Sequence, residues 1–167
     1  HCGGLVDLAR TMPIGELIVA DWEADLAERH PCLAELADLF AGRTRRLAAG
    51  DRFEVGRWRL EVPRAPLDRL ARDNDRSLVL VAEAAGRRLL LAGDAERAAE
   101  ELLVRSGEIA GPFDLLQVPH HGSSSSSTGR FLAEVRPRLA VIACGARNRF
   151  GHPGAGAIAR LRSAGAI

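Results

Sequence analysis

The chain has 167 residues, 47% hydrophobic and 27% charged, the length and balance of one globular domain with a sizeable core, which excludes disordered and fibrous classes. A membrane span needs about 20 consecutive apolar residues, and Arg87 and Arg88 split the most apolar region, Leu78 to Leu91, so neither a span nor a signal peptide is expected. All 23 basic residues are arginine, the formal net charge is +1, and acidic residues interleave with the arginines, so no basic block marks a nucleic-acid surface.

In chain order, Gly3 and Gly4 lead into a helix to about Thr11, Leu17 to Ala20 is strand-like, and Pro31 opens a helix with Leu33, Leu36, Leu39 and Phe40 on one face, ended by Gly42. Phe53 to Val55 and Trp58 to Val62 read as a hairpin around Gly56, and Ala65 to Asp75 as polar and irregular. A second hairpin, Ser77 to Glu83 with Arg87 to Ala92, turns at Ala85 and Gly86. A helix then runs from about Ala95 to Arg105. Phe113 to Val118 is a strand ending at two histidines, Thr128 to Val135 a helix, Leu139 to Cys144 a buried strand, Asn148 to Gly154 a loop and Ala155 to Ser163 a helix. Hairpins early and alternating strands and helices late predict a layered α/β domain with strand ends facing one edge. Cys2, Cys32 and Cys144 lack CxxC spacing, so neither a disulfide framework nor a structural zinc site is expected, and Cys144 reads as a small buried residue.

Histidine or aspartate falls at strand ends or loop starts at His1, Asp94, His120 with His121, and His152. Taken singly, each has an ordinary structural reading: Asp94 as a helix cap, a histidine as a surface or hydrogen-bonded group. Together they combine carboxylate oxygen with neutral imidazole, the donors that suit zinc, manganese or iron. Two such ions can clamp a phosphoryl group and activate water.

Five segments, HCGGL at His1, NDRSLVL at Asn74, LLLAGD ending at Asp94, DLLQVPHHGSSSSS from Asp114 and GARNRFGHP from Gly145, occur in the order found in the C-terminal metallo-β-lactamase-like domain of the ComEC family, which the chain resembles along nearly its whole length. ComEC proteins move DNA across the inner membrane in natural transformation. The resemblance implies a metallo-β-lactamase-like αββα sandwich. It further implies one partial domain over residues 1–167, lacking first and last strands, in a chain that opens on His1 and stops at Ile167 as an excised piece would.

His1 resembles the last histidine of the superfamily's HxHxDH signature, Asp94 the aspartate that bridges two metals, and His120 a further ligand. Its neighbour His121 orients it, reaches substrate or replaces it. His152 is expected in substrate contact or proton transfer. Asn74 and Ser77 match the family's NxxS pattern and are expected to cap a turn. Ser123 and Arg149 are candidate phosphate contacts, as is Asn148, which reads equally as a loop-stabilising residue. The five serines read as a hydroxyl-rich loop near phosphate or, more simply, as solvated linker.

The implied function is a hydrolase using one or two zinc or manganese ions and no small-molecule cofactor, cleaving single-stranded DNA by attack of hydroxide on phosphorus. Its partners would be that DNA and the transmembrane channel domain of the same polypeptide, with the soluble domain on the outer face of the inner membrane. Two other readings are a phosphocholine esterase of the same fold and a degenerate domain that binds DNA or a partner without hydrolysis.

Overall fold

A computed structural model describes residues 3–21 and 31–167. It divides into two compact units, residues 1–48 and 49–167.

In the first unit, helix α1 (Gly3–Thr11) and strand β1 (Leu17–Ala20) precede helix α2 (Pro31–Leu39) and strand β2 (Thr44–Leu47). The two strands pair in parallel, Leu17 opposite Thr44. Val6, Leu36 and Phe40 form a small core, with Ile14, Leu17 and Leu33 packed against it. Strand β2, TRRL, is not apparent from hydropathy because only Leu47 is buried; backbone pairing makes it a strand. Cys32 is disulfide-bonded, contrary to the expectation from cysteine spacing. Disulfides require two Cα atoms within about 7 Å in space, which separation along the chain does not report.

The second unit is built on a six-stranded mixed sheet in the order β3-β4-β5-β6-β7-β8. Strands β3 (Arg52–Val55), β4 (Trp58–Glu61), β5 (Leu80–Ala84) and β6 (Arg87–Leu91) run antiparallel in succession. Helix α3 (Arg97–Ser106) connects β6 to β7 (Phe113–Gln117), and helix α4 (Gly129–Val135) connects β7 to β8 (Pro137–Val141); these crossovers make β6, β7 and β8 parallel. Helix α5 (Ala155–Ser163) follows. One core joins sheet and helices: Val81, Leu90, Phe113 and Leu116 from strands, with Ala99 and Leu103 of α3, Phe131, Leu132 and Val135 of α4 and Leu161 of α5. At about 25 cal/mol per Å² of apolar surface removed from water, burying each large side chain contributes about 1.5–3 kcal/mol.

Register places the parallel strands' ends side by side. Leu91 stands opposite Gln117, and Gln117 opposite Val141. The Gln117 side chain locks this edge, its Oε1 accepting the backbone N–H groups of Ala92 at 3.0 Å and Gly93 at 2.9 Å.

Three expectations fail in this unit. The run Leu139 to Cys144 is not a buried strand: β8 stands last in the sheet order, Leu139 and Val141 are more than 40% exposed, and Cys144 is an exposed free thiol beyond the strand end. An apolar run is buried only where another layer covers it, and at the end of a sheet that cover is not guaranteed. The stretch 65–75 is polar but ordered, with 3-10 turns at Leu67–Arg69 and Asn74–Arg76. The serine run is not solvated linker, since Ser126 and Ser127 are fully buried and Ser123 nearly so.

Candidate functional site

The parallel strand ends deliver Asp94, His120 and His121 to one edge. Beyond β6, Gly93 turns in the left-handed region (φ 55°), where a Cβ would sit 2.8 Å from the Ser77 Cβ, so no larger residue fits without displacement. Ser77 Oγ accepts the Asp94 N–H at 2.9 Å and fixes the aspartate's backbone. Asn74 and Ser77 thus hold a turn against the Gly-Asp corner.

Beyond β7, Pro119 is followed by three left-handed residues, His120 (φ 48°), His121 (φ 55°) and Gly122 (φ 76°). Two consecutive histidines in that region are uncommon and costly, a strain that tertiary contacts must hold in place. His120 N–H donates to the Gly93 carbonyl at 3.1 Å, Ser123 N–H to the His120 carbonyl at 2.8 Å, and Gly154 N–H to the Gly122 carbonyl at 2.8 Å. A Cβ on Gly122 would lie 2.8 Å from the Pro153 Cβ, so the turn packs directly on the Gly-His-Pro segment.

The two imidazoles have different surroundings. His121 Nδ1 donates to the Ala143 carbonyl at 2.5 Å, and Nε2 lies 3.6 Å from Asp94 Oδ1. A carbonyl only accepts, so Nδ1 carries the hydrogen and, in the neutral ring, the Nε2 lone pair faces the carboxylate. Two acceptors at that separation repel unless a cation, a proton or a metal ion, lies between them. His120 is held by other side chains: Asn74 Nδ2 donates to its Nε2 at 3.3 Å and to Glu96 Oε1 at 3.2 Å. Glu96 Oε1 is also 3.1 Å from His120 Nδ1, within ion-pair range but without hydrogen-bond alignment. Arg72 donates to the other Glu96 oxygen at 3.1 Å. His152 sets its ring edge-on to His120, centroids 5.6 Å apart.

The remaining candidates separate by what they touch. His1 lies outside the described residues. Asn148 commits its side chain to its own loop, donating to the Gly145 and His152 carbonyls at 2.7 Å each and accepting the His152 N–H at 2.9 Å. Ser123 Oγ pairs with Ser125 Oγ at 2.9 Å inside the serine turn. Arg149 is exposed beside Phe150, its guanidinium 5.0 Å from the ring centre.

Four functional or supporting residues escaped the sequence reading: Glu96, Asp75, Glu100 and Arg160. Asp75 Oδ1 accepts the N–H groups of Glu96 and Ala99 at 3.0 Å each, capping α3 from a different segment because Glu96, at the N-cap, makes no side-chain cap of its own. Glu100 is fully buried and accepts the N–H groups of Ser127 and Thr128, the latter at 2.8 Å, while burial pushes its carboxyl above the usual range. Arg160 donates to the carbonyls of Ser124, Ser126 and Ser127 at 2.9, 2.7 and 2.7 Å. An acid three residues into a helix looks like any solvent-facing acid in sequence, and only the NDRS match hinted at the turn holding Asp75.

Among the described residues, no three His, Cys, Asp or Glu side chains converge as a metal site. Asp94 and His121 form a two-donor pair with the right chemistry, since a metal-ligating histidine commonly donates its other ring N–H to a carbonyl.

A mixed sheet with histidines and an aspartate at its parallel strand ends defines the class: the metallo-beta-lactamase superfamily profile matches residues 1–146, and the chain belongs to that superfamily. Within it, the chain is similar to competence and recombination proteins. It is 40% identical over 95 residues to competence protein ComA of Neisseria gonorrhoeae (56% of this chain, 14% of that protein). It is 37% identical over 89 residues to recombination protein 2 of Haemophilus influenzae (53% and 11%), and 36% identical over 88 residues to ComE operon protein 3 of Bacillus subtilis (50% and 11%). The matches thus cover only a small part of those relatives. The Zn(2+)-bound crystal structure of PqqB from Methylobacterium extorquens shares the fold at a TM-score of 0.55 and 17% identity, over 98% of this chain and 62% of PqqB.

Proposed function

We propose that this domain is a metal-dependent phosphodiesterase of a DNA-uptake protein, acting on single-stranded DNA beside a transmembrane channel domain on the outer face of the inner membrane. The observation that carries this reading is the approach of Asp94 Oδ1 and His121 Nε2 to 3.6 Å at adjacent parallel strand ends. The similarity to the three competence and recombination proteins supplies the DNA.

Asp94 and His121 would hold a divalent zinc or manganese ion. On this geometry the metal-facing role goes to His121, and His120, held by Asn74 and Glu96, lines the site as a positioned imidazole. A divalent ion there supplies positive charge that polarises a phosphoryl oxygen and lowers the pKa of water. The Ala143 carbonyl keeps the His121 tautomer, and Ser77 keeps Asp94 in place. His152 stands beside the cluster for proton transfer, and Arg149 is the exposed cation for phosphate.

The test is elemental analysis of the intact protein beside Asp94→Ala, His121→Ala and His120→Ala variants, together with cleavage of single-stranded DNA. Wild type should carry one or two transition-metal ions and cleave. The first two variants should lose metal and at least about 100-fold in rate, while His120→Ala should retain metal. A folded wild type without metal, or Asp94→Ala with full cleavage, overturns the reading.

A further inference from the structure

Beside His121 the loop after β8 encloses an open hollow of about 300 Å³, lined by His121, Ala143, Cys144, Asn148, Phe150 and His152 among others. Its lining is mainly apolar carbon although it adjoins the polar site edge. Phe150 is its most unusual member, 67% exposed on a chain whose other four phenylalanines, Phe40, Phe53, Phe113 and Phe131, are all buried. A ring of that size on a loop that borders the site edge is placed where a guest could reach it.

The loop that carries the ring is held at its base. Asn148 ties the loop across its base through three hydrogen bonds, to the Gly145 carbonyl and to the His152 N–H and carbonyl. Pro153, next to His152, packs on Gly122 of the histidine turn. The Phe150 and His152 rings lie nearly parallel, 18° apart, with centroids separated by 5.8 Å. That is well beyond the contact distance of about 3.5–4.0 Å between overlaid carbon atoms, so the rings are staggered as steps and leave ring surface uncovered. Arg149 sets its guanidinium 5.0 Å from the Phe150 centre.

We infer that this step of His152, Phe150 and Arg149 is a stacking subsite for a base of single-stranded DNA, adjacent to the Asp94–His121 pair; it rests on the phosphodiester reading above. A flat, uncharged guest suits a ring that stays 67% exposed between a guanidinium and an imidazole, and the neighbouring cation suits the phosphate that every base carries with it. The same cation argues against a quaternary ammonium guest, which would have to share the ring with a guanidinium of like charge. In a duplex the base faces are already stacked, so the subsite favours a single strand.

The experiment is a binding titration on the intact protein, in chelator so that nothing is hydrolysed, with a labelled oligothymidylate and an abasic deoxyribose-phosphate strand of the same length. Wild type should bind the base-bearing strand about tenfold more tightly, a difference of about 1.4 kcal/mol and within the range for one base–aromatic stack. Phe150→Ala should bind both strands alike, and Phe150→Trp should restore the preference and show indole fluorescence quenched by the base-bearing strand alone. A preference undiminished in Phe150→Ala, or a wild type with no preference, overturns the subsite and leaves the phosphodiester reading standing. A wild type that binds neither strand also overturns the subsite, and the phosphodiester reading is then judged by the metal content and cleavage described above. An oligouridylate strand run alongside separates the sources of the base, and binding confined to it removes DNA from the proposal.

Discussion

Glu100 holds the serine run that follows the two histidines, and replacing it measures how firmly. The carboxylate is fully buried and accepts two backbone N–H groups, from Ser127 and Thr128. Glu100→Ala leaves both donors without that partner, Ser127 being wholly buried and Thr128 half-buried. At about 1–3 kcal/mol for each buried unpaired donor, with Thr128 toward the low end, the loss should be about 2–4 kcal/mol. Glu100→Gln keeps one acceptor oxygen but turns an amide N–H toward the other donor, so its loss should be about 1–2 kcal/mol. The pH dependence has a definite sign. Burial raises the carboxyl above its ordinary 4.5, overcoming the opposing hydrogen bonds from Thr128 and Ser127 and the Arg160 charge. Between the ordinary and the raised value, the folded chain retains a proton that the unfolded chain has lost. The stability contributed by this group is therefore fully present below about pH 4.5 and falls as pH rises through the folded value. Urea unfolding at a series of pH values reads both effects, and Glu100→Gln should flatten that part of the profile. A Glu100→Ala protein within about 0.5 kcal/mol of wild type would refute the clamp, since that is the range of an ordinary surface change.

Gly122→Ala should destabilise by about 2–4 kcal/mol, because it adds a left-handed alanine to a Cβ placed 2.8 Å from Pro153. Gly129→Ala, with nothing within 4 Å of its added carbon, serves as the comparison, and thermal unfolding of the two should differ clearly. Asp75→Ala removes the acceptor of two N–H groups at the start of α3 and should cost about 1–2 kcal/mol in urea unfolding. An unchanged midpoint would mean that water replaces the carboxylate there.

Much of the second unit was legible from residue order. Alternation around Gly56 and at Ala85-Gly86 marked both hairpins, and the Thr128 start of α4 is a side-chain cap that accepts the Phe131 N–H at 3.4 Å. The HHG segment could be placed at a strand end because an apolar run stopped there. Burial was less legible. Leu139 and Val141 read as core but face solvent, whereas Ser126 and Ser127 read as solvated but are buried, because Arg160 and the Glu100 carboxylate satisfy their backbone.

Local pattern determined the elements and the β6–α3–β7–α4–β8 alternation, and it put Asp94, His120 and His121 just beyond strand ends, because periodicity and turn residues act within a few positions along the chain. Only the tertiary structure decided which imidazole faces Asp94. That choice rests on contacts between segments remote in sequence, Ala143 with His121 and Asn74 and Glu96 with His120, and on a left-handed turn that aims successive side chains in different directions. Adjacent identical residues have the same chemistry until the fold gives each its own neighbours.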